Sequence, residues 1–192
     1  MKKLWIIIVI AILAIGGIYV SNTYNKLVKG QEEVARAWGQ VENVYQRRSD
    51  LIPNLVAVVK QYTEYEQGTL IAVVEARSKA TAMTLVADEM TDSQLQNFDN
   101  SQNELGNSLG RLFIRVEDYP DLKANEQYLT LHAQITGCEN RILVERKRFN
   151  TAAKEYNKQV RVFPSNIIAN IFGFEKRPYF EALPNAGQVS SF

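Results

Sequence analysis

From Leu95 to Val116 the apolar residues fall three and four apart without a break: Leu95, Phe98, Gln102, Leu105, Leu109, Leu112 and Val116, with Gln102 the single polar member. Only an α-helix returns side chains to one face at that interval, and such a stripe has to be buried against another surface. A second stripe obeys the same rule over a longer distance: Tyr128, Leu131, Ile135, Cys138, Ile142, Glu145, Phe149, Ala152 and Tyr156. Leu27, Val34, Trp38, Val41 and Tyr45 make a third stripe. The fourth runs through Leu51, Leu55, Val58 and Tyr62 to Thr69, Val73, Ala76, Ala80 and Met83. No alternating run and no Asn-Gly or Asp-Gly pair competes with these patterns. The fold class is therefore all-α, and four amphipathic helices with short connections bury their stripes most simply as an antiparallel four-helix bundle.

The stop and start signals predict helices near 24–48, 51–87, 93–116 and 120–162, long and uneven in length. Thr91 or Asp92 can cap the third, and Pro120 suits the first turn of the fourth. Pro164 stops the fourth helix, Ser165 can cap a short helix to Phe172, and Gly173 can end it. Beyond it the chain is expected to be extended. Phe163, Phe172, Phe174, Tyr179 and Phe180 either close the end of the bundle or dock a partner, and closure is favoured. The divisions are residues 1–23, 24–163 and 164–192.

The first of these divisions is a membrane anchor. Leu4 to Val20 contains no charged residue, and the next charge is Lys26. As a helix these 17 residues extend about 26 Å, close to the thickness of a bilayer core. A single retained span contacting lipid through residues 4–20 is favoured over a signal peptide cut near Ala14-Ile15-Gly16, and over a buried core helix. Lys2 and Lys3 precede the span, while Lys26, Lys29 and Arg36 lie further beyond it. That slight asymmetry favours an extracytoplasmic bundle over a cytoplasmic one.

One stretch interrupts the helical pattern: "RRSDLIPNLV", Arg47 to Val56. Cations suit a helix C-terminus, Ser49 or Asp50 can cap the next helix, and a first-turn proline lacks only an N–H that has no partner there. In a helix interior the same proline would cost about 3 kcal/mol. Arg47, Arg48, Asp50 and Pro53 are therefore read as a structural corner, with one kinked helix as the alternative.

Chemistry-bearing residues are sparse. There are 22 basic and 21 acidic residues, net charge +1, so no electrostatic footprint for nucleic acid exists. One cysteine and one histidine allow neither an internal disulfide nor a Cys/His metal cage. A di-iron bundle needs two Glu-x-x-His pairs, and Leu129 stands three residues before the lone His132. Cys138 falls on an apolar stripe and reads as a core thiol. Glu145, the one acid in that stripe, either is a buried partner for an arginine such as Arg36 or Arg111 or marks where the stripe meets solvent, and exposure near the overhanging end of the helix is favoured. No catalytic residue, cofactor or metal is expected.

Several short motifs, in order, carry a resemblance: "YNKLV" (24–28), "AWGQV" (37–41), "RRSDLIPNLV", "ARSKA" (76–80), "YPDLKA" (119–124), "ENRI" (139–142), "YNKQV" (156–160) and "GFEKRPYF" (173–180). Together with the N-terminal span, this series is similar to the bacterial LemA family over nearly the whole chain. The resemblance implies a membrane-anchored antiparallel four-helix bundle, and it supports the corner at Pro53; coiled-coil packing of the helices is expected as well. It implies no reaction and no catalytic residues. Cys138 stands where the family commonly has threonine. Ser49 stands where it usually has histidine, so that histidine is not needed for a chemistry shared by this member.

The expected function is a membrane-tethered helical scaffold or protein-interaction module. The runner-up is a sensory or ligand-binding bundle, which normally has a second span and a signalling domain. Arg77, Asn140, Arg141, Phe174, Tyr179 and Phe180 are the candidate partner surface. The protein partners are unidentified, and homo-oligomer formation is left open.

Overall fold

The structure is a computed structural model that describes residues 2–62 and 67–181. All regular structure among these residues is helical: α1 (Lys2–Lys60), α2 (Gln67–Thr81), α3 (Asp92–Val116), α4 (Pro120–Lys123), α5 (Glu126–Arg161) and α6 (Ser165–Phe172).

α1 passes through the expected corner without a break. It is 59 residues long, about 90 Å at the helical rise, and Pro53 lies inside it. Proline at 53 cannot donate to the carbonyl of Ser49, four residues back, and an orphaned carbonyl normally bends or ends a helix. Here α2 supplies the missing donor: Arg77 Nε donates to Ser49 O at 2.9 Å. Asp50 does not cap a helix, but accepts from Gln46 Nε2 at 2.7 Å, one turn back on the same helix. Arg47 points to solvent and Arg48 is buried. The four residues read as a corner are thus mid-helix, because a partner distant in sequence repairs the local defect. The described part of α1 ends in a turn, with Gln61 N–H donating to Val58 O and Tyr62 N–H to Val59 O.

This repair is testable. Arg77→Ala should cost about 1–3 kcal/mol, since a buried acceptor loses its donor. Pro53→Ala restores an N–H at the right place, so the double variant should recover most of that loss. Urea unfolding of the four corners of the cycle measures the coupling.

Two other boundaries differ from expectation. α2 stops at Thr81 rather than near 87, and the segment that follows turns inward, burying Met90 and offering Leu85 O to Trp38 Nε1 at 3.2 Å. The predicted helix 120–162 is divided: Asn125 Oδ1 accepts from Tyr128 N–H at 2.9 Å and starts α5 afresh, as asparagine favours caps over helix interiors. Thr91 caps α3 with a full capping box to Gln94. Gly173, at φ +74°, ends α6, but Ser165 does not cap it; its hydroxyl donates to Gln159 O at 2.7 Å.

α1 and α5 run antiparallel along their shared length. Gly30 meets Tyr156, where a Cβ would lie 3.1 Å from the ring. Trp38 meets Phe149 at 5.5 Å between ring centroids, and Arg48 Nη1 meets Glu139 Oε1 at 2.6 Å. α2 and α3 are also antiparallel, with Lys79 Nζ against Glu104 at 2.8 Å and Ser101 Oγ against Met83 Sδ at 3.6 Å. Phe98 of α3 reaches across to Trp38 and Tyr45 of α1, with centroids at 5.4 and 5.2 Å. The core falls into two apolar clusters. One surrounds Trp38, Phe98, Phe149 and Phe180, and the other Ile52, Leu55, Leu109 and Ile135.

The side chains from Leu4 to Val20 are exposed, and burial begins only at Thr23. By length and composition this part of α1 can cross a membrane. The helix continues into the packed body without a break.

Candidate functional site

Arg48 sits between the two apolar clusters, 2% exposed. Tyr45, one turn before it, belongs to the first cluster and Ile52, one turn after, to the second. Its guanidinium donates to Glu139 of α5 at 2.6 Å, and to both Gln102 Oε1 at 2.6 Å and Gln102 O at 3.2 Å on α3. Gln102 Nε2 then donates to Ala80 O at 3.1 Å, near the end of α2. One buried arginine thus ties α1, α3 and α5 directly, and α2 through Gln102. A Cβ on Gly106 would come within 3.8 Å of Arg48 Nη1, in ordinary contact. Most polar groups of the layer are bonded to one another, while Arg48 Nε and the neighbouring Ser49 Oγ are buried without a hydrogen-bond partner; the bonds that are made hold these helices in register.

Tyr45 lies under the same guanidinium, 5.2 Å from ring centroid to Arg48 Cζ. Its phenol is pushed up to about 12, by burial first, with Arg146 and Arg48 opposing. The folded state therefore favours the neutral phenol over the ordinary value of about 10. That contribution is fully present below pH about 10 and is lost as pH rises towards about 12. Burial raises Tyr128 and Tyr156 as well. Tyr45→Phe should accordingly flatten part, not all, of the alkaline fall in stability, which thermal melts across this range would record.

A groove of about 790 Å³ runs between α1 and α5. Gly30, Ala37, Val144 and Ala152 contribute apolar surface, and Lys29, Glu33, Lys147 and Arg148 are among its charged residues. Glu145 belongs to this groove and is 3% exposed, accepting from Arg148 Nη1 at 2.9 Å, with Arg141 Nε at 4.0 Å. The surface position expected for Glu145 is therefore corrected: α1 runs alongside α5 there, so α5 does not overhang.

The C-terminal segment is strapped along α5. Asn157 accepts from the Arg177 N–H at 2.8 Å and donates to Arg177 O at 2.7 Å. Asn150 does the same for Phe180, at 2.9 and 2.8 Å. Two helical turns cover about 10.5 Å, and three extended residues about 10 Å, so the spacings match. Phe180 then inserts beside Trp38 and Phe149, with centroids at 6.1 and 5.6 Å. The Arg146 guanidinium lies over it at 4.3 Å, itself paired to Asp99 by two bonds of 2.7 and 3.0 Å.

The residues predicted as a partner surface are not one surface. Arg77 is on α2, bonded to Ser49 O. Asn140 and Arg141 are exposed on α5. Phe174 packs partly against the core, Tyr179 shares a 2.8 Å hydrogen bond with Asn157, and Phe180 is buried. Asn150 and Asn157 were not singled out from sequence, although their spacing of seven places them on one face. Cys138 is buried, and burial pushes its thiol up. Among the described residues no group of three or more His, Cys, Asp or Glu is placed to hold a metal ion.

A helical body carrying an N-terminal helix apolar enough to enter a membrane defines the class of protein. The chain belongs to the LemA family, whose pattern matches residues 37–191. It is similar to magnetosome protein MamQ 2 of Paramagnetospirillum magneticum, at 26% identity over 84% of this chain and 65% of that protein. The same figures hold for magnetosome protein MamQ of Magnetospirillum gryphiswaldense. Protein LemA of Metamycoplasma hominis is 25% identical over 82% of this chain and 68% of its own length. The chain thus spans about 65% of the magnetosome relatives it matches.

Proposed function

We propose that this protein is a membrane-anchored helical scaffold without catalytic chemistry, whose α1–α5 and α2–α3 pairs form an antiparallel four-helix bundle of the LemA type. The observation that carries the reading is the unbroken α1, which joins an exposed apolar segment to the packed body as one rod. An unbroken helical connection couples the orientation of the membrane segment to that of the body. The groove between α1 and α5, apolar with charged margins, is the surface for a protein partner. Lys2 and Lys3 ahead of the span favour an extracytoplasmic body. The names of the relatives do not point to catalysis.

A photo-crosslinking residue at Thr151 in the groove, with one at the exposed Gln134 of α5 as a control, tests the reading in intact membranes. Protein adducts at 151 in a carbonate-resistant membrane fraction are expected. Release of the protein by carbonate would overturn the anchor, and membrane-bound protein without adducts at 151 would overturn the scaffold. A small-molecule-binding bundle is the second reading, favoured by the groove volume of about 790 Å³, which lies in the usual range for ligand sites.

A further inference from the structure

α6 reads Ser-Asn-Ile-Ile-Ala-Asn-Ile-Phe and contains no charged residue. Its inner face, Ile168 and Ala169, is buried. Its outer face carries Asn170 but also large apolar side chains: Ile167 and Ile171, one turn apart, are 49% and 71% exposed, and Phe172 at the helix end is 51% exposed. Val162 and Phe163 immediately before it are 50% and 75% exposed. Large apolar side chains exposed together in this way mark a surface that meets an apolar partner. Other exposed aliphatic side chains of the body, such as Ile114 and Leu129, lie on other helices, as is ordinary for protein surfaces.

The position of this patch identifies its partner. Val162 and Phe163 line one hollow with Tyr19 and Thr23 of α1, and Phe172 packs edge-on against Tyr24 at 5.0 Å. A hydrocarbon core of about 30 Å takes about 20 helical residues, so a span beginning at Leu4 reaches the boundary at about Thr23. Tyr19 then lies inside the acyl region and Tyr24 at its edge, where aromatic rings collect. Side chains packed beside them lie at the same depth. Lys26 and Lys158 line the same hollow together with Glu155, and Lys29 and Arg161 are exposed nearby in sequence, a basic excess that suits anionic headgroups.

We infer that Val162–Phe163 and the outer face of α6 are a second membrane contact, lying in the headgroup–acyl boundary of the leaflet from which α1 emerges. This rests on the anchored reading above. The contact fixes the tilt and rotation of the body, since one span alone leaves rotation about its own axis free.

Nitroxide labels on single cysteines test it in the full chain carrying Cys138→Ala, reconstituted into phosphatidylcholine–phosphatidylglycerol vesicles. Phe163→Cys, Ile167→Cys and Ile171→Cys report on the patch, Leu13→Cys on lipid and Asn140→Cys on water. All three patch labels should show an oxygen-to-nickel-chelate accessibility ratio several-fold above that at 140 and approaching that at 13. If 13 lies in lipid while the patch labels match 140, the second contact is overturned and the anchor stands. If 13 also matches 140, both fall. If the patch labels resist both relaxants, protein covers α6, either a second copy or the chain's own last residues, and the lipid contact is overturned.

Discussion

Replacing Arg48 with alanine is expected to lower stability by about 3 kcal/mol, the low end for breaking a buried charge pair. The low end applies because Glu139 keeps 42% of its side chain exposed, so water recovers part of its lost partner. Gln102 has no such recourse: its Oε1 and its carbonyl both lose a donor inside the core. Arg48→Lys should recover only part, since one ammonium lacks the fork that reaches two helices together. The informative variant is Arg48→Met with Gln102→Leu. Apolar replacement of a buried polar set is often neutral or stabilising, so this chain should regain most of the stability while losing the constraint on register. Urea unfolding of residues 22–192, with amide exchange to report uniqueness, separates the two effects. A double variant as unstable as Arg48→Ala would argue that the layer is needed for stability itself.

Phe180→Ala should cost about 3–4 kcal/mol, as for a large aromatic removed from a packed core. The residue is 5% exposed, wedged by Trp38, Phe149 and the Arg146 guanidinium. Asn150→Ala removes both backbone bonds at the same residue and should cost about 2 kcal/mol. Combined, the two should cost less than their sum, because either one already frees the end of the strap. Near-ultraviolet dichroism follows the loss of the Trp38 environment, and denaturant unfolding gives the energies. Full additivity would mean that Asn150 and Phe180 act independently. Among the described residues of the tail, Phe180 closes the α1–α5 seam, whereas Phe163, Ile171, Phe172 and Tyr179 are exposed and Phe174 is half-buried.

Stripes, caps and the apolar run were legible because each depends on neighbours within a turn or two. Thr91, Gly173 and Pro120 stand at helix ends, and the stripe of Leu95 to Val116 is buried as its spacing requires. Gln102 and Glu145 were visible as the only polar members of their stripes. Their meaning was not, since a polar residue in a stripe marks either a solvent edge or a buried bond, and only the opposing helix decides which. For Gln102 that helix brings Arg48, and for Glu145 the approach of α1 closes the side that would otherwise be open.

"RRSDLIPNLV" shows the division most sharply. Local chemistry determined that Pro53 could not bond Ser49 O and that the helix was weakened there. It also determined that residues 4–20 are apolar enough for a bilayer. Whether the weakened turn becomes a corner depends on a donor reaching the free carbonyl, and that donor, Arg77, lies 28 residues away. Composition and period determined that the chain makes helices with buried faces. The tertiary structure decided where they end, because a backbone defect costs several kcal/mol in isolation and far less once another helix supplies the missing hydrogen bond.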